Sequence, residues 1–346
     1  VENWFSAHII AWYKLNKRDL PWRNTKNPYF IWLSEIILQQ TQVNQGLSYY
    51  YKFLKNYPTL KHLAQANIDS VLKDWQGLGY YSRARNLHFT ANTILKEFNG
   101  VFPNNYIQIK KLKGIGDYTA AAIASFAYNL PHAVVDGNVY RVLSRVFGIK
   151  TPIDSTVGKK KFKDLADSLL DKKQNAIYNQ AIMEFGSQYC KPKNPDCFNC
   201  PLNFKCIAFA KNKVKTLPVK EKSIKIKTRF FYYFVVKHKN EIAYFKRNKK
   251  DIWEGLHEFY LIEKNKNCNE EILFTELPFK AYQINEQSNT IKHVLSHQHL
   301  YCKFYLLKLS NKPKNLNWIK IENIQKIAWP RVIDKYINTC LINKFN

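Results

Sequence analysis

Apolar residues recur at helical spacing through about the first 210 of the 346 residues. The stretch "SVLKDWQGLGYYSRARNLHFTANTIL" places them on either side of a Gly-rich turn, and "YTAAAIASFAYNL" is a helix rich in small residues. Residues 1–210 therefore predict an all-α domain with short connections. Residues 211–228, "KNKVKTLPVKEKSIKIKT", are Lys-rich, hold one Pro and show no sustained apolar period, which predicts a basic linker. Beyond it, "RFFYYFVVKHKNEIAYFKR" predicts two strands joined at a polar turn, and "HLYCKFYLLKL" predicts another strand. Residues 229–346 thus predict an α+β domain.

One predicted helix has no polar face. Asn27 followed by Pro28 reads as an N-cap and a first-turn proline, so a helix should begin there and carry "IWLSEIILQQT", residues 31–41. Ile31, Trp32, Ile36, Ile37 and Leu38 surround Glu35, leaving no polar face. A carboxylate in such a helix must pair, hydrogen-bond or take up a proton, because desolvation raises its pKa. A buried structural Glu and a general acid held protonated at neutral pH both fit.

Composition narrows the partners. Fifty-four Lys plus Arg against 26 Asp plus Glu give a formal charge of +28, the footprint of a polyanion binder, with nucleic acid ahead of an anionic membrane surface. No apolar run reaches spanning length and no basic-then-apolar leader opens the chain, which predicts a soluble cytoplasmic protein. Of seven cysteines, Cys190, Cys197, Cys200 and Cys206 fall in one block spaced C-x6-C-x2-C-x5-C. An odd total with one tight cluster predicts reduced thiols holding a metal. Four thiolates suit a tetrahedral zinc or a four-iron cluster; the six-residue first loop is long for a zinc finger and favours iron–sulfur. Lys191 and Lys193 in that loop are candidates for phosphate contact, or plain solvated positions.

A second motif is "LKGIGDYTA", residues 112–120. Gly114 and Gly116 permit a tight turn whose N–H groups open a helix and can meet a phosphate. About 20 residues on, Asp136 in "VVDGNVYRVLSR" precedes another helix, where it can be a cap or a catalytic carboxylate.

A hairpin of two helices with L-x-G-x-G at about 105–130, an Asp some 20 residues beyond it, and a cysteine block at 190–206 together resemble the helix-hairpin-helix DNA glycosylase superfamily. Within it, "LPWRNTKNPYFIWLSEIILQQTQV" and "GLGYYSRARNL" resemble the adenine DNA glycosylases, which remove adenine mispaired with 8-oxoguanine. The resemblance implies a [4Fe-4S] cluster on the four cysteines, duplex DNA as partner, and a monomer associated with a bacterial nucleoid. It implies Glu35 as general acid at adenine N7, and Asp136, exposed at its helix start, as an ionised carboxylate facing the sugar cation. Tyr118 and Asn138 would line the site, and Arg18, Leu20, Trp22, Arg23 and Glu184 would surround the extruded base. Gln40 and Tyr80 match positions that wedge into the base stack, with Arg83 and Arg85 on phosphates. The related endonuclease III branch carries Lys as Schiff-base nucleophile where this chain has Tyr118, which implies a monofunctional enzyme.

In the carboxyl part, "DIWEGLHEFY" and "KHVLSHQHLYCKFYLL" resemble the Nudix-like domain with which these glycosylases read 8-oxoguanine. Ser296 and His297 match a Phe-Ser-His motif, with Leu295 in place of Phe. The acidic R-E-x-x-E-E helix of Nudix hydrolases is missing from the sequence. The competing readings are a glycosylase for another damaged base and a DNA-binding redox protein without base chemistry.

Overall fold

The computed structural model describes residues 4–221, 226–280 and 282–342; residues 222–225 of the expected linker lie outside the described residues. The helices are α1 (Trp4–Asn16), α2 (Pro28–Leu38), α3 (Val43–Asn56), α4 (Leu60–Gln65), α5 (Ile68–Trp75), α6 (Ser82–Glu97), α7 (Tyr106–Lys111), α8 (Asp117–Tyr128), α9 (Gly137–Val146), α10 (Thr156–Leu169), α11 (Asn175–Gln188) and α12 (Ile207–Ala210). Strands β1 (Lys227–His238), β2 (Glu241–Lys246), β3 (His257–Glu258) and β4 (Tyr260–Lys264) follow. After α13 (Glu270–Thr275) come β5 (Tyr282–Gln287), β6 (Ile291–Leu295), β7 (Gln298–Leu309), β8 (Asn317–Lys320) and α14 (Arg331–Tyr336). A helical part followed by a strand-rich part is the architecture the sequence predicts.

The chain divides into two compact units, one of residues 1–65 with 89–223 and the other of residues 66–88 with 224–346. Residues 66–88 thus differ from the sequence expectation, which assigned them to the first domain. Their polar groups explain the difference: Lys246 pairs with Asp69 at 2.6 Å, Arg85 with Glu254 at 2.8 Å, and the Trp329 N–H donates to Gln76.

In the first unit, α1, α9 and α11 enclose a core built on Phe5, Ile9, Val139, Val142, Ile182 and Phe185. Local chemistry sets the helix starts near the site. Asn27 accepts from the Tyr29 N–H at 3.0 Å with Pro28 in the first turn. Asn105 caps α7, Gly114 at φ +81° makes the turn between α7 and α8, and Gly116 is the N-cap of α8.

In the second unit, β1 and β7 run parallel at the centre of the sheet. β2 and β4 pair antiparallel with β1, β5 and β6 pair antiparallel with β7, and β2 also carries β3 and β8. One face packs Tyr232, Phe234, Tyr305 and Leu307 into a core. β6 turns into β7 through a two-residue hairpin made of Ser296 and His297, closed by the Leu295–Gln298 pair.

Candidate active site

A cavity of about 690 Å³ in the first unit gathers side chains from α2, α8, α9 and α11 and from the segment before α2. Its wall holds Glu35, Tyr118, Asp136 and Asn138, and also Arg18, Leu20, Trp22, Arg23 and Glu184. Gln40 and Gly116 line it as well. Residues spread over more than 160 positions of the sequence therefore share one concave surface.

Glu35 is only 7 % exposed. Burial pushes its pKa up to about 7; the hydrogen bond that Tyr118 Oη donates to Oε2 at 2.7 Å works against this, and the nearby Asp136 adds to it. Such a group holds and releases a proton near neutrality.

Asp136 caps α9. Its Oδ1 accepts the Val139 N–H and its Oδ2 accepts the Asn138 Nδ2–H, each at 2.8 Å. The cap reading and the site reading of this residue are the same geometry. Asp136 is half-buried, a correction to the expected exposed position, because its helix start faces into the cavity. Burial raises its pKa, while the bonds from Val139 and Asn138 oppose the rise.

Arg141 completes this group. It donates to Asn138 Oδ1 at 2.9 Å and to the carbonyls of Gly186 and Cys190 at 2.6 and 2.7 Å, fixing the amide that holds Asp136. The sequence reading missed it. The available signal was a pair of arginines, Arg141 and Arg145, one helical turn apart in a helix otherwise periodic in apolar residues.

Glu184 is 1 % exposed and anchors the opposite wall. Arg18 reaches both of its oxygens, at 2.7 and 2.6 Å, and Arg23 reaches Oε2 at 2.7 Å. Burial opposes the charge, but the bonds from both arginines outweigh it and bring the pKa down to about 2. Glu184 therefore keeps its charge across the range in which Glu35 titrates.

The four cysteines Cys190, Cys197, Cys200 and Cys206 line a second, largely apolar cavity with Arg145, Phe185 and Leu202. Arg145 Nη1 lies 3.4 Å from Cys190 Sγ and also donates to the Lys191 carbonyl at 2.8 Å. Burial pushes the Cys200 thiol up to about 12, and the other three cysteines push in the same direction. Burial raises the Cys197 and Cys206 thiols as well; such sulfurs become stable thiolates only around a cationic centre, and four cysteines gathered in one cavity fit a metal or a metal–sulfur cluster. Lys191 and Lys193 stand exposed on the loop.

The remaining expected residues lie in or near turns. Gln40 and Tyr80 are exposed and adopt left-handed backbone, at φ 55° and 46°. A non-glycine residue there is uncommon and points to a functional constraint. Arg83 is 8 % exposed, with Nη2 bound to the carbonyls of Leu78 and Gly79 at 3.1 and 3.2 Å. Arg85 clasps the Glu254 carbonyl and carboxylate at 2.5 and 2.8 Å. Both are expected on phosphates; within the protein they also serve carbonyls that need donors, in the turn before α6 and in the 247–256 loop. Ser296 and His297 are exposed at the hairpin tip, and Ser296 Oγ accepts from Tyr80 Oη at 3.0 Å.

Residues 33–167 match the model of the HhH-GPD superfamily of base excision DNA repair proteins, and residues 232–339 match a NUDIX domain. The first match gives the class: a helix-hairpin-helix base excision repair protein with a strand-rich Nudix-like second part. An adenine DNA glycosylase of Buchnera aphidicola subsp. Baizongia pistaciae (strain Bp) is 37 % identical over 351 residues, covering 99 % of this chain and 97 % of that protein. The adenine DNA glycosylase of Mus musculus is 40 % identical over 214 residues, covering 59 % of this chain and 42 % of that protein. The chain belongs to the adenine DNA glycosylase family, hydrolases of the N-glycosidic bond in DNA.

Among solved structures, a thermostable thymine-DNA glycosylase shares 29 % identity at a TM-score of 0.56, covering 60 % of this chain and 95 % of that one. A non-covalent endonuclease III–DNA complex, 21 % identical at a TM-score of 0.53, covers 61 % of this chain and 98 % of that one and shares the fold. Among the described residues no helix is long and apolar enough to cross a membrane.

Proposed function

We infer that the protein hydrolyses the N-glycosidic bond of adenine paired with 8-oxoguanine or guanine in duplex DNA, without cutting the strand. The observation that carries this reading is Glu35, buried, set near neutrality and sharing a cavity with Asp136. Adenine leaves poorly until a ring nitrogen is protonated, and Glu35 supplies that proton at N7. As the bond breaks, C1′ gains positive charge, which the Asp136 carboxylate, held by Val139 and Asn138, stabilises. Asp136 raises the pKa of Glu35, while the bonds that Asp136 accepts from Val139 and Asn138 favour its own ionised form, so at neutral pH the proton rests on Glu35.

Arg18, Leu20, Trp22, Arg23 and Glu184 then form the wall against which an extruded adenine rests. Tyr118 occupies the position of the endonuclease III branch's Lys; it has no amine for an imine, and its hydroxyl is spent on Glu35. At Gly116 a Cβ would meet nothing within 4 Å, so packing does not demand glycine there, whereas a closely approaching phosphate does. Gln40 and Tyr80 fill the space left by the flipped base, with Ser296 and His297 addressing the base opposite. Lys191 and Lys193 add phosphate contacts. Cys190, Cys197, Cys200 and Cys206 would hold a [4Fe-4S] cluster, which supplies a structural and electrostatic anchor for the loop carrying those lysines. The protein acts as a monomer in the bacterial cytoplasm, at the nucleoid.

Single-turnover assays on duplexes with adenine opposite 8-oxoguanine, opposite guanine and opposite thymine test this. Breaks only after alkali, confined to the first two duplexes, are expected. Breaks without alkali would overturn the monofunctional reading, and no release from any duplex would overturn the substrate.

A further inference from the structure

Tyr80 and Ser296 lie 216 positions apart in sequence, yet their hydroxyls bond at 3.0 Å. The second unit holds them through a closed circuit of polar contacts. Tyr80 opens the turn into α6, where its carbonyl accepts the Arg83 N–H at 2.9 Å and the Tyr81 carbonyl accepts the Arg85 N–H at 3.1 Å. Arg85 reaches out of α6 to clasp Glu254 at both carbonyl and carboxylate.

Glu254 belongs to the loop between β2 and β3. Gly255, at φ +82°, brings that loop so close to α5 and α6 that a Cβ there would sit 3.3 Å from Leu72 Cδ1 and 3.6 Å from Arg85 Cδ. Trp253, at φ 64°, turns its ring toward Phe231 and toward His293 of β6, the strand that leads into Ser296. Below the loop, Asp251 accepts from Arg229 at 2.5 Å and from Arg247 at 3.2 Å. Arg229 closes the circuit by donating to Gln298 Oε1 at 2.9 Å, the residue that pairs with Leu295 across the hairpin base.

We propose that this circuit, Arg85–Glu254 joined through Asp251 and Arg229 to Gln298, is a positioning device that sets Tyr80 and Ser296 together on the base opposite the adenine and so governs discrimination between 8-oxoguanine and guanine. It rests on the substrate reading above. The two contacting residues lie 216 positions apart in the sequence, and left-handed backbone at Tyr80 and Trp253 is tolerated only where the surroundings over-determine it. Glu254 and Asp251 touch neither residue, so they act through the loop and its arginines.

The full-length Glu254→Gln and Asp251→Asn proteins are compared with wild type on adenine opposite 8-oxoguanine and opposite guanine. A second measurement uses a duplex with a non-hydrolysable adenine analogue and 2-aminopurine beside the opposite base, whose fluorescence reports unstacking on binding. Weakening one charge-assisted contact is expected to lower the 8-oxoguanine preference about threefold to tenfold. The saturating rate constant on the 8-oxoguanine duplex stays within about twofold, and the fluorescence rise falls by at least about half. Unchanged preference and unchanged fluorescence in both variants would overturn the proposal, as would a fall in saturating rate equal to the fall in preference. Release of adenine from neither duplex by wild type would sink the substrate reading instead, and the fluorescence comparison would still decide the positioning role.

Discussion

Tyr118 Oη donates to Glu35 Oε2 at 2.7 Å, so one side chain of α8 stabilises the ionised form of an acid whose burial favours the protonated form. Removing the donor in Tyr118→Phe should move the Glu35 pKa further up. More enzyme then carries the proton on the alkaline side, and the falling limb of the single-turnover rate should shift to higher pH. A rate profile over roughly pH 5 to 9 measures it. A limb that moves to lower pH would show that Tyr118 does not act on the charge of Glu35.

Glu35→Gln should remove base release and yet stabilise the fold. The folded pKa of about 7 lies above the ordinary 4.5, so the native state binds the proton more tightly than the unfolded chain. Native stability therefore falls as pH rises from about 4.5 to about 7 and levels off above, a penalty of about 3 kcal/mol when complete. The amide carries no such penalty. Denaturant melts of both proteins should show a gain for the variant at pH 8 that shrinks toward zero near pH 4.5. A gain that does not depend on pH would mean that the carboxyl is not desolvated in the native state.

Much of this site was legible because it depends on local signals. Asn27–Pro28 starts α2, the apolar surroundings of Glu35 bury it, and Asp136 before Gly137 starts α9; each follows from a few neighbouring residues. What was not legible depends on distant partners. Arg83 and Arg85 resemble phosphate ligands in sequence, but the carbonyls of Leu78 and Gly79 lie within their own turn and Glu254 lies 169 positions away. The same distance hides the packing of residues 66–88 with the carboxyl unit. Arg141 and Arg145 escaped notice for a related reason: a helical period shows which face is buried but not which carbonyls and thiols wait there for a donor.

The cysteine block gives a prediction independent of catalysis. Protein purified without chelator should absorb at about 400 nm, and Cys200→Ser should lose that band along with part of the thermal stability. Arg145→Met should weaken the band's persistence in air, because Arg145 braces Cys190 and the Lys191 carbonyl at the cavity edge. A colourless protein that releases zinc on denaturation would replace the cluster with a single ion.

Gly186 of α11 faces the start of α9 so closely that a Cβ added there would lie 2.7 Å from Asn138 Cβ and 3.0 Å from the Asn138 carbonyl oxygen. Neither neighbour is the free end of a flexible chain, so Gly186→Ala must push the two helices apart. The push falls on Asn138, whose amide holds Asp136, and on Arg141, which donates to the Gly186 carbonyl at 2.6 Å. Overpacking of this kind costs about 1–3 kcal/mol in stability. If Asp136 acts on C1′ as proposed, misplacing it should slow base release about 100-fold. Binding to a duplex with a non-hydrolysable adenine should stay within about threefold, since the proposed phosphate-contacting residues are untouched. Single-turnover rates and equilibrium binding, measured well below the melting temperature, separate the two effects. A variant with full rate and reduced stability would show that the site tolerates displacement of Asn138 and that Asp136 is held by the Val139 N–H alone.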